Sequence, residues 1–170
     1  MRRTIEINGN LDGKDGLSNY EDFESVINEV LGFYRKHFDE NVMSAIDLYI
    51  DNATENSGAV PVTTPILGKY LIIKLKIDEF SGREKIAFQF SHELMHYVYF
   101  VKYGLNKPRA NDMEEAICTA ASLITLYNLY PERFESYNDY VQKLEYNGYR
   151  KGAKVATDIK YSMTALKELI

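Results

Sequence analysis

The sequence has a single cysteine, Cys118, and no tryptophan. One cysteine excludes an intramolecular disulfide and suits a reducing compartment. No apolar run approaches the length of a membrane span, and the first residues lack the apolar segment of a secretory signal peptide. We therefore expect a cytoplasmic protein with no membrane partner.

The sequence also lacks a cluster of basic residues. Its 20 Lys and Arg are dispersed, and with 25 Asp and Glu the formal net charge is −5. Because nucleic-acid binding relies on a concentrated positive surface, we expect no nucleic-acid partner. The length of 170 residues, with 45% hydrophobic and 26% charged residues, is typical of one well-buried globular unit. We predict a single domain over residues 1–170 and leave the oligomeric state open.

Hydrophobic periodicity predicts a small sheet and one helix in the first half of the chain. Apolar and polar residues alternate at positions 5–7, 46–50 and 70–77, as they do in half-buried strands. Positions 20–38 carry apolar residues at helical spacing. The segment 58–67 contains two prolines, which cannot donate hydrogen bonds to a sheet, so we predict an edge strand there.

The second half of the chain shows a helical pattern throughout. Ser81 and Glu84 form a capping box that predicts the start of a long helix, which Gly104 ends. The next helix begins with Asn111 or Asp112 as its N-cap and has apolar or small residues on nearly every side. A helix of that kind is predicted to be buried.

Two more helices are predicted toward the C-terminus. Pro131 suits the first position of a helix that ends near Asn147-Gly148, and a last helix covers roughly 154–170. Strands and one helix come first, and only helices follow. The predicted fold class is therefore α+β, with a small N-terminal mixed sheet and one helix, then the long helix and C-terminal helices.

The most informative segment is His92-Glu93-Leu94-Met95-His96, which lies within the long helix. Residues four apart lie on the same helix face, so His92 and His96 can bind one metal ion. Glu93 would then lie beside the metal, where a general base takes a proton from an activated water. A plainer interpretation is a pair of buried histidines on a core helix, with Glu93 as a solvated neighbour.

A catalytic zinc ion needs a third protein ligand and an open position for water. Glu114 and Glu115 are the candidates, because they begin the buried helix, where a carboxylate needs a cation. Adjacent residues lie about 100° apart around a helix axis, so only one of the two can readily face the metal.

These residues resemble the gluzincins, the thermolysin-like zinc metallopeptidases, in which H-E-x-x-H is followed by a glutamate ligand on the next helix. Eighteen residues separate His96 from Glu115, as in the aminopeptidase branch of that group, and the resemblance spans about 58–130. It implies a zincin-like fold, Zn²⁺ as the cofactor and Glu115 rather than Glu114 as the third ligand. It also implies hydrolysis of a peptide or protein substrate, with Glu93 as the general base.

Position 119 departs from that family. Many members have an Asp there that holds the first histidine, whereas this sequence has Thr119, so other contacts must orient His92. Members also use a Tyr or His beyond the third ligand to stabilise the oxyanion. Tyr146, Tyr149 and Arg150 are available for that role, and the choice among them stays open.

Two other functions fit the same residues. The main alternative is a catalytically silent zincin-fold module that holds a peptide or protein in its cleft or on its edge strand. A closed structural zinc site would instead use Cys118 as the fourth ligand. Retention of both histidines and two matching glutamates favours the enzyme, and an extended substrate is expected to pair with the edge strand at 58–67.

Overall fold

The computed structural model describes residues 5–7, 20–52, 60–77 and 81–170. These residues form a mixed α and β structure that is mainly helical. The strands share the first half with α1 and the short α2, and only helices follow β4, close to the predicted order. In chain order the elements are β1 Ile5–Ile7, α1 Tyr20–Arg35, α2 Glu40–Met43, β2 Asp47–Asn52, β3 Val62–Ile66, β4 Tyr70–Leu75, α3 Arg83–Tyr103, α4 Asp112–Leu129, α5 Pro131–Lys143, α6 Asn147–Asp158 and α7 Met163–Lys167.

The strands form one mixed sheet in the order β1-β2-β4-β3. β2 is parallel to β1 and to β4, whereas β3 is antiparallel to β4 and lies at the edge. Paired residues such as Leu48 and Leu71 are buried together on the face that meets the helices. The edge position of β3 confirms the prediction from the prolines, because Pro65 lies within that strand and cannot donate to a second neighbour.

The start of α3 differs slightly from the prediction. The helix begins at Arg83, so Gly82 occupies the N-cap and the predicted capping box with Ser81 as the cap is wrong. Glycine has no side chain to bond the first turn, and the carboxylate of Glu84 folds back over it instead. Gly104 ends the helix as predicted, with a φ of 87° that favours glycine.

α4 begins where the sequence predicts. The side chain of Asn111 accepts hydrogen bonds from the backbone N–H groups of Met113 and Glu114, each at 3.0 Å. Every residue over 116–126 is buried, which confirms the prediction of a buried helix. Even so, none of the helices in the described part of the chain is long and apolar enough to cross a membrane.

The C-terminal helices differ from the prediction. α5 begins at Pro131 as expected, but the single last helix predicted for 154–170 is wrong. That region holds the end of α6 and all of α7, because Lys160 and Tyr161 have left-handed backbone conformations, with φ of 54° and 55°. Such residues interrupt a right-handed helix. Gly148, expected near the end of α5, lies instead in the first turn of α6.

Small residues bring α6 close to α4. Gly148, Gly152 and Ala156 are buried and spaced four residues apart along α6. A β-carbon at Gly152 would lie 2.6 Å from the β-carbon of Thr119 and 2.7 Å from the carbonyl oxygen of Ala116. Glycine is therefore the residue that fits between these two helices.

α3 packs against α4 and also against α1 and the strands β3 and β4. A chain of buried hydroxyl groups links three of these helices. The hydroxyl of Tyr34 donates to the carbonyl of Ser91 at 2.7 Å, and Oγ of Ser91 lies 2.7 Å from Oγ1 of Thr125. The hydroxyl of Ser122 donates to the carbonyl of Phe88 at 2.8 Å. These bonds fix the register of α3 and α4 beside the H-E-x-x-H residues.

Replacing Gly152 with alanine should destabilise the protein by about 1–3 kcal/mol, because the added methyl group would overlap the carbonyl of Ala116. Gly32→Ala is the matched control, since Gly32 lies within α1 and has no atom within 4 Å of the added carbon. That substitution should stabilise the protein by about 0.5–1 kcal/mol, because alanine favours a helix over glycine. Urea denaturation measures both changes, and a Gly152→Ala variant at least as stable as the wild type would contradict the close approach of α6 to α4.

Candidate metal centre

The H-E-x-x-H residues lie in the middle of α3. Glu93 and His96 are buried and His92 is half-buried. The rings of the two histidines lie on the same side of the helix, with their centroids 5.1 Å apart. All three side chains line a cavity of about 1080 Å³. The first turn of α4 lies across from them.

Glu115, in that first turn, faces both histidines. Its Oε2 lies 3.2 Å from Nε2 of His92, and its Oε1 lies 3.6 Å from Nε2 of His96. Two donors on a tetrahedral zinc ion, each about 2.0–2.1 Å from the metal, lie roughly 3.3 Å apart. The two contacts of Glu115 with the histidines are close to this spacing.

Glu114 contacts the other side of His96. Its Oε1 lies 2.8 Å from Nδ1 of His96, and Nζ of Lys107 lies 2.7 Å and 2.8 Å from its two carboxylate oxygens. A carboxylate on Nδ1 keeps the proton there and leaves Nε2 available to a metal. The arrangement favours Glu115 as the ligand and gives Glu114 a supporting contact.

The two glutamates are held in their ionised form. Burial alone would raise the pKa of Glu115, but the hydrogen bond from His92 and the charges of both histidines and Lys107 lower it. Burial also opposes ionisation of Glu114, and the hydrogen bonds from His96 and Lys107 again lower the pKa below its usual value. Glu115 can therefore act as an anionic ligand, and Glu114 as a charged hydrogen-bond acceptor.

Glu93 has a different environment. Its Oε2 accepts a hydrogen bond from the hydroxyl of Thr63 at 2.8 Å, and the same hydroxyl lies 2.9 Å from the backbone carbonyl of Glu93. Thr63 belongs to β3, so the edge strand holds this carboxylate in place. Burial raises the pKa of Glu93 to about 7, partly offset by the charge of His96. A carboxylate of that pKa can accept a proton and return it near neutral pH.

Cys118 offers an alternative third ligand. One donor atom each from His92, His96 and Cys118 lie within 4.8 Å of one another, and this group could hold a metal ion. However, Sγ of Cys118 lies 3.4 Å from Nδ1 of His96, the nitrogen that Glu114 contacts. A zinc ion held by Nε2 of His96 would lie on the opposite edge of the ring from this thiol. We therefore favour Glu115.

Of the three candidates for an oxyanion donor, only one lies at the cavity. Tyr149 lines the cavity, with its ring centroid 6.1 Å from that of His92. The hydroxyl of Tyr146 donates to Asp112 at 2.8 Å, and neither Tyr146 nor Arg150 lines the cavity. Tyr149 is therefore the candidate that the fold brings to the site.

Thr119 does not replace the missing aspartate. Its hydroxyl is buried and has no hydrogen-bond partner among the described residues. The ring of His92 instead has edge contacts with the rings of His96 and Tyr149. As the sequence suggests, the orientation of His92 depends on contacts other than position 119.

Sequence analysis does not identify Thr63 or Lys107 as site residues. Thr63 carries no local signal beyond its place in the edge strand, and its contact with Glu93 spans 30 positions. Lys107 lies only seven positions from Glu114, so their opposite charges are a signal that a search for local ion pairs would find. Both residues contact a glutamate of the site.

The cavity has a strand wall and a helix wall. On one side it is lined by β3 and the residues just before it, so the predicted edge strand, described from Val60 onward, lies beside His92 and Glu93. On the other side the wall is mostly apolar and aromatic, and it is formed by Phe88, Tyr137, Tyr140, Val141 and Leu144. The edge strand, this wall and the two histidines therefore line one cavity.

No protein-family model, curated protein or solved structure matches this chain. The geometry and chemistry of the site therefore carry the functional interpretation.

Metal titration should distinguish Glu115 from Cys118. We expect about one zinc ion per chain, because the donor set forms one site. Glu115→Ala should weaken zinc binding by more than about 10-fold, as the loss of a ligand does, whereas Cys118→Ala should change it by less than about twofold. Competition with a chromophoric chelator, using metal-depleted protein, measures both affinities. The reverse ranking would make Cys118 the third ligand.

Proposed function

We propose that this protein is a zinc-dependent peptidase of the gluzincin kind, with a zincin-like fold. The main support is that the two oxygens of the Glu115 carboxylate lie near the Nε2 atoms of His92 and His96. Glu93 lies beside that donor set, and the cavity in front of it is large enough for a segment of polypeptide.

Each residue of the site has a separate role in the proposed reaction. A zinc ion held by His92, His96 and Glu115 would supply a Lewis acid that polarises a carbonyl group and lowers the pKa of water. Glu93 would accept the proton of the attacking water and pass it to the leaving amine. The hydrogen bond from Thr63 keeps the Glu93 carboxylate in one orientation for both transfers.

Tyr149 is the residue best placed to stabilise the oxyanion. Burial, together with the nearby charges of Glu115 and Glu93, raises the pKa of its hydroxyl. The hydroxyl therefore keeps its proton at neutral pH and can donate a hydrogen bond to a carbonyl oxygen that becomes negative.

The shape of the cavity favours an extended polypeptide substrate. β3 is the edge strand of the sheet, and its exposed side offers backbone groups for pairing with another strand. Val60 and Val62, which line the cavity, are 70% and 40% exposed. The opposite wall is rich in aromatic side chains, so the substrate would place a bulky apolar side chain against α5.

Substituting Glu93→Gln should abolish peptide hydrolysis and retain the zinc, because it removes a base without removing a ligand. Glu24→Gln, on the exposed side of α1, is the matched control and should keep full activity. Activity against a peptide library is measured alongside the zinc content of each variant. Wild-type activity should disappear on chelation and return with added zinc.

Full activity of Glu93→Gln would contradict the proposed mechanism. A wild-type protein that binds zinc and peptides without cleaving any of them would favour the catalytically silent binding module instead.

Tyr140→Ala should lower kcat/KM for peptides with Phe or Leu beside the cleaved bond by about 10-fold, because part of the apolar wall is lost. Cleavage of peptides with alanine at that position should change little. Tyr103→Ala is the control, since Tyr103 is 55% exposed and Tyr140 56% exposed, and Tyr103 does not line the cavity. If kcat/KM fell equally for peptides with large and with small side chains beside the cleaved bond, α5 would have no part in substrate selection.

A further inference from the structure

Lys107 is buried in a way that is unusual for a lysine. It lies in the loop between α3 and α4, and only 6% of its side chain is exposed. Its Nζ donates to both oxygens of Glu114, at 2.7 Å and 2.8 Å, and lies 3.3 Å from the carbonyl oxygen of Pro108. The same ammonium lies 4.8 Å from the centre of the Phe100 ring. These contacts occupy all three of its N–H donors and leave it one orientation.

The Lys107 contact continues to a proposed metal ligand. Oε1 of Glu114 binds Nζ of Lys107 and also lies 2.8 Å from Nδ1 of His96. Only 8% of the Glu114 side chain is exposed, so little water competes for its oxygens. The three residues therefore form a buried chain that ends on the ring of His96.

We propose that Lys107 is a positioning residue, which holds the Glu114 carboxylate on Nδ1 of His96 and so directs Nε2 of His96 toward the metal. The inference rests on the proposed metal site. Its role is exerted through Glu114, because Lys107 itself contacts neither histidine among its described hydrogen bonds.

The same contact explains why a metal would bind Glu115 rather than the adjacent Glu114. Without a partner, Glu114 could turn toward a cation and compete with Glu115, since both lie in the first turn of α4. If Glu114 turned away, Lys107 would be left as a buried ammonium without its counter-ion, which is costly. Lys107 therefore keeps the Glu114 carboxylate on Nδ1 of His96 and leaves Glu115 as the ligand.

A double-mutant cycle on zinc affinity tests this inference. Lys107→Met alone and Glu114→Gln alone should each weaken zinc binding by about 10- to 100-fold, as the loss of a ligand's supporting contact does. The double variant should bind zinc no more weakly than the weaker single variant, because both substitutions break one chain of contacts. The inference would be overturned if the fold-losses of zinc affinity in the two single variants multiplied in the double variant, or if Lys107→Met bound zinc as tightly as the wild type.

Two further variants keep the test decisive even if Lys107→Met does not fold. Lys107→Arg keeps the charge and can bind both oxygens of a carboxylate, so it should stay within about threefold of wild-type affinity. If Lys107→Met does not fold, a Lys107→Arg affinity as weak as that of Glu114→Gln would overturn the inference. Lys154→Met is the matched control, because Lys154 pairs with Asp158 on the exposed side of α6 and should leave zinc affinity unchanged.

Nitrogen-15 spectra of histidine-labelled, zinc-loaded protein add a direct readout of the ring. We expect His96 to bind zinc through Nε2 and to keep a proton on Nδ1, and Lys107→Met to broaden or shift that Nδ1 signal. Wild-type protein that binds zinc through Nδ1 of His96 would overturn the inference.

The affinity and the spectra do not depend on hydrolysis. An inactive wild-type protein that shows the expected cycle would therefore refute the proposed peptidase and support the role of Lys107. A wild-type protein that takes up no zinc would refute both.

Discussion

The packing of α3 against α4 in opposite directions is the constraint on which the site depends. Ser91 of α3 contacts Thr125 near the end of α4, whereas His96 contacts Glu114 at its start, so the two helices run antiparallel. This direction puts the first turn of α4, where Glu115 lies, beside the histidines. Hydroxyl groups and small residues at the interface let the helices approach closely and set one register between them. A shift by one residue would rotate Glu115 away from the histidines, since neighbours lie about 100° apart on a helix.

Two other elements bring residues to the site, for separate reasons. β3 lies at the sheet edge because its proline cannot serve two neighbouring strands, and this position brings Thr63 to Glu93. α6 approaches α4 because Gly152 leaves room for it, and this contact brings Tyr149 to His92. Thr63 and Tyr149 are therefore each brought to the site by a backbone feature of another element.

Three carboxylates share this small region, and their surroundings separate their properties. Glu93 is buried with one hydroxyl partner, which leaves its pKa near 7. Glu114 and Glu115 are also partly buried, but histidine and lysine partners lower their pKa values. The first environment suits proton transfer, and the other two suit permanent negative charge. The histidines contribute most to lowering these two pKa values, and Lys107 adds to the effect from the loop between α3 and α4.

Local patterns in the sequence were enough to predict the strands, the edge position of β3, the buried α4 and the shared face of His92 and His96. Each follows from the period of a strand or helix, or from the missing N–H of proline, so it acts within one segment. The break at Lys160, the place of Gly148 inside α6 and the contacts of Thr63 and Lys107 depend on tertiary structure. They arise from contacts between elements, which no single segment encodes. The sequence by itself determined which residues have side chains that can bind a metal, and the packing of α4 and β3 against α3 decided which of them meet.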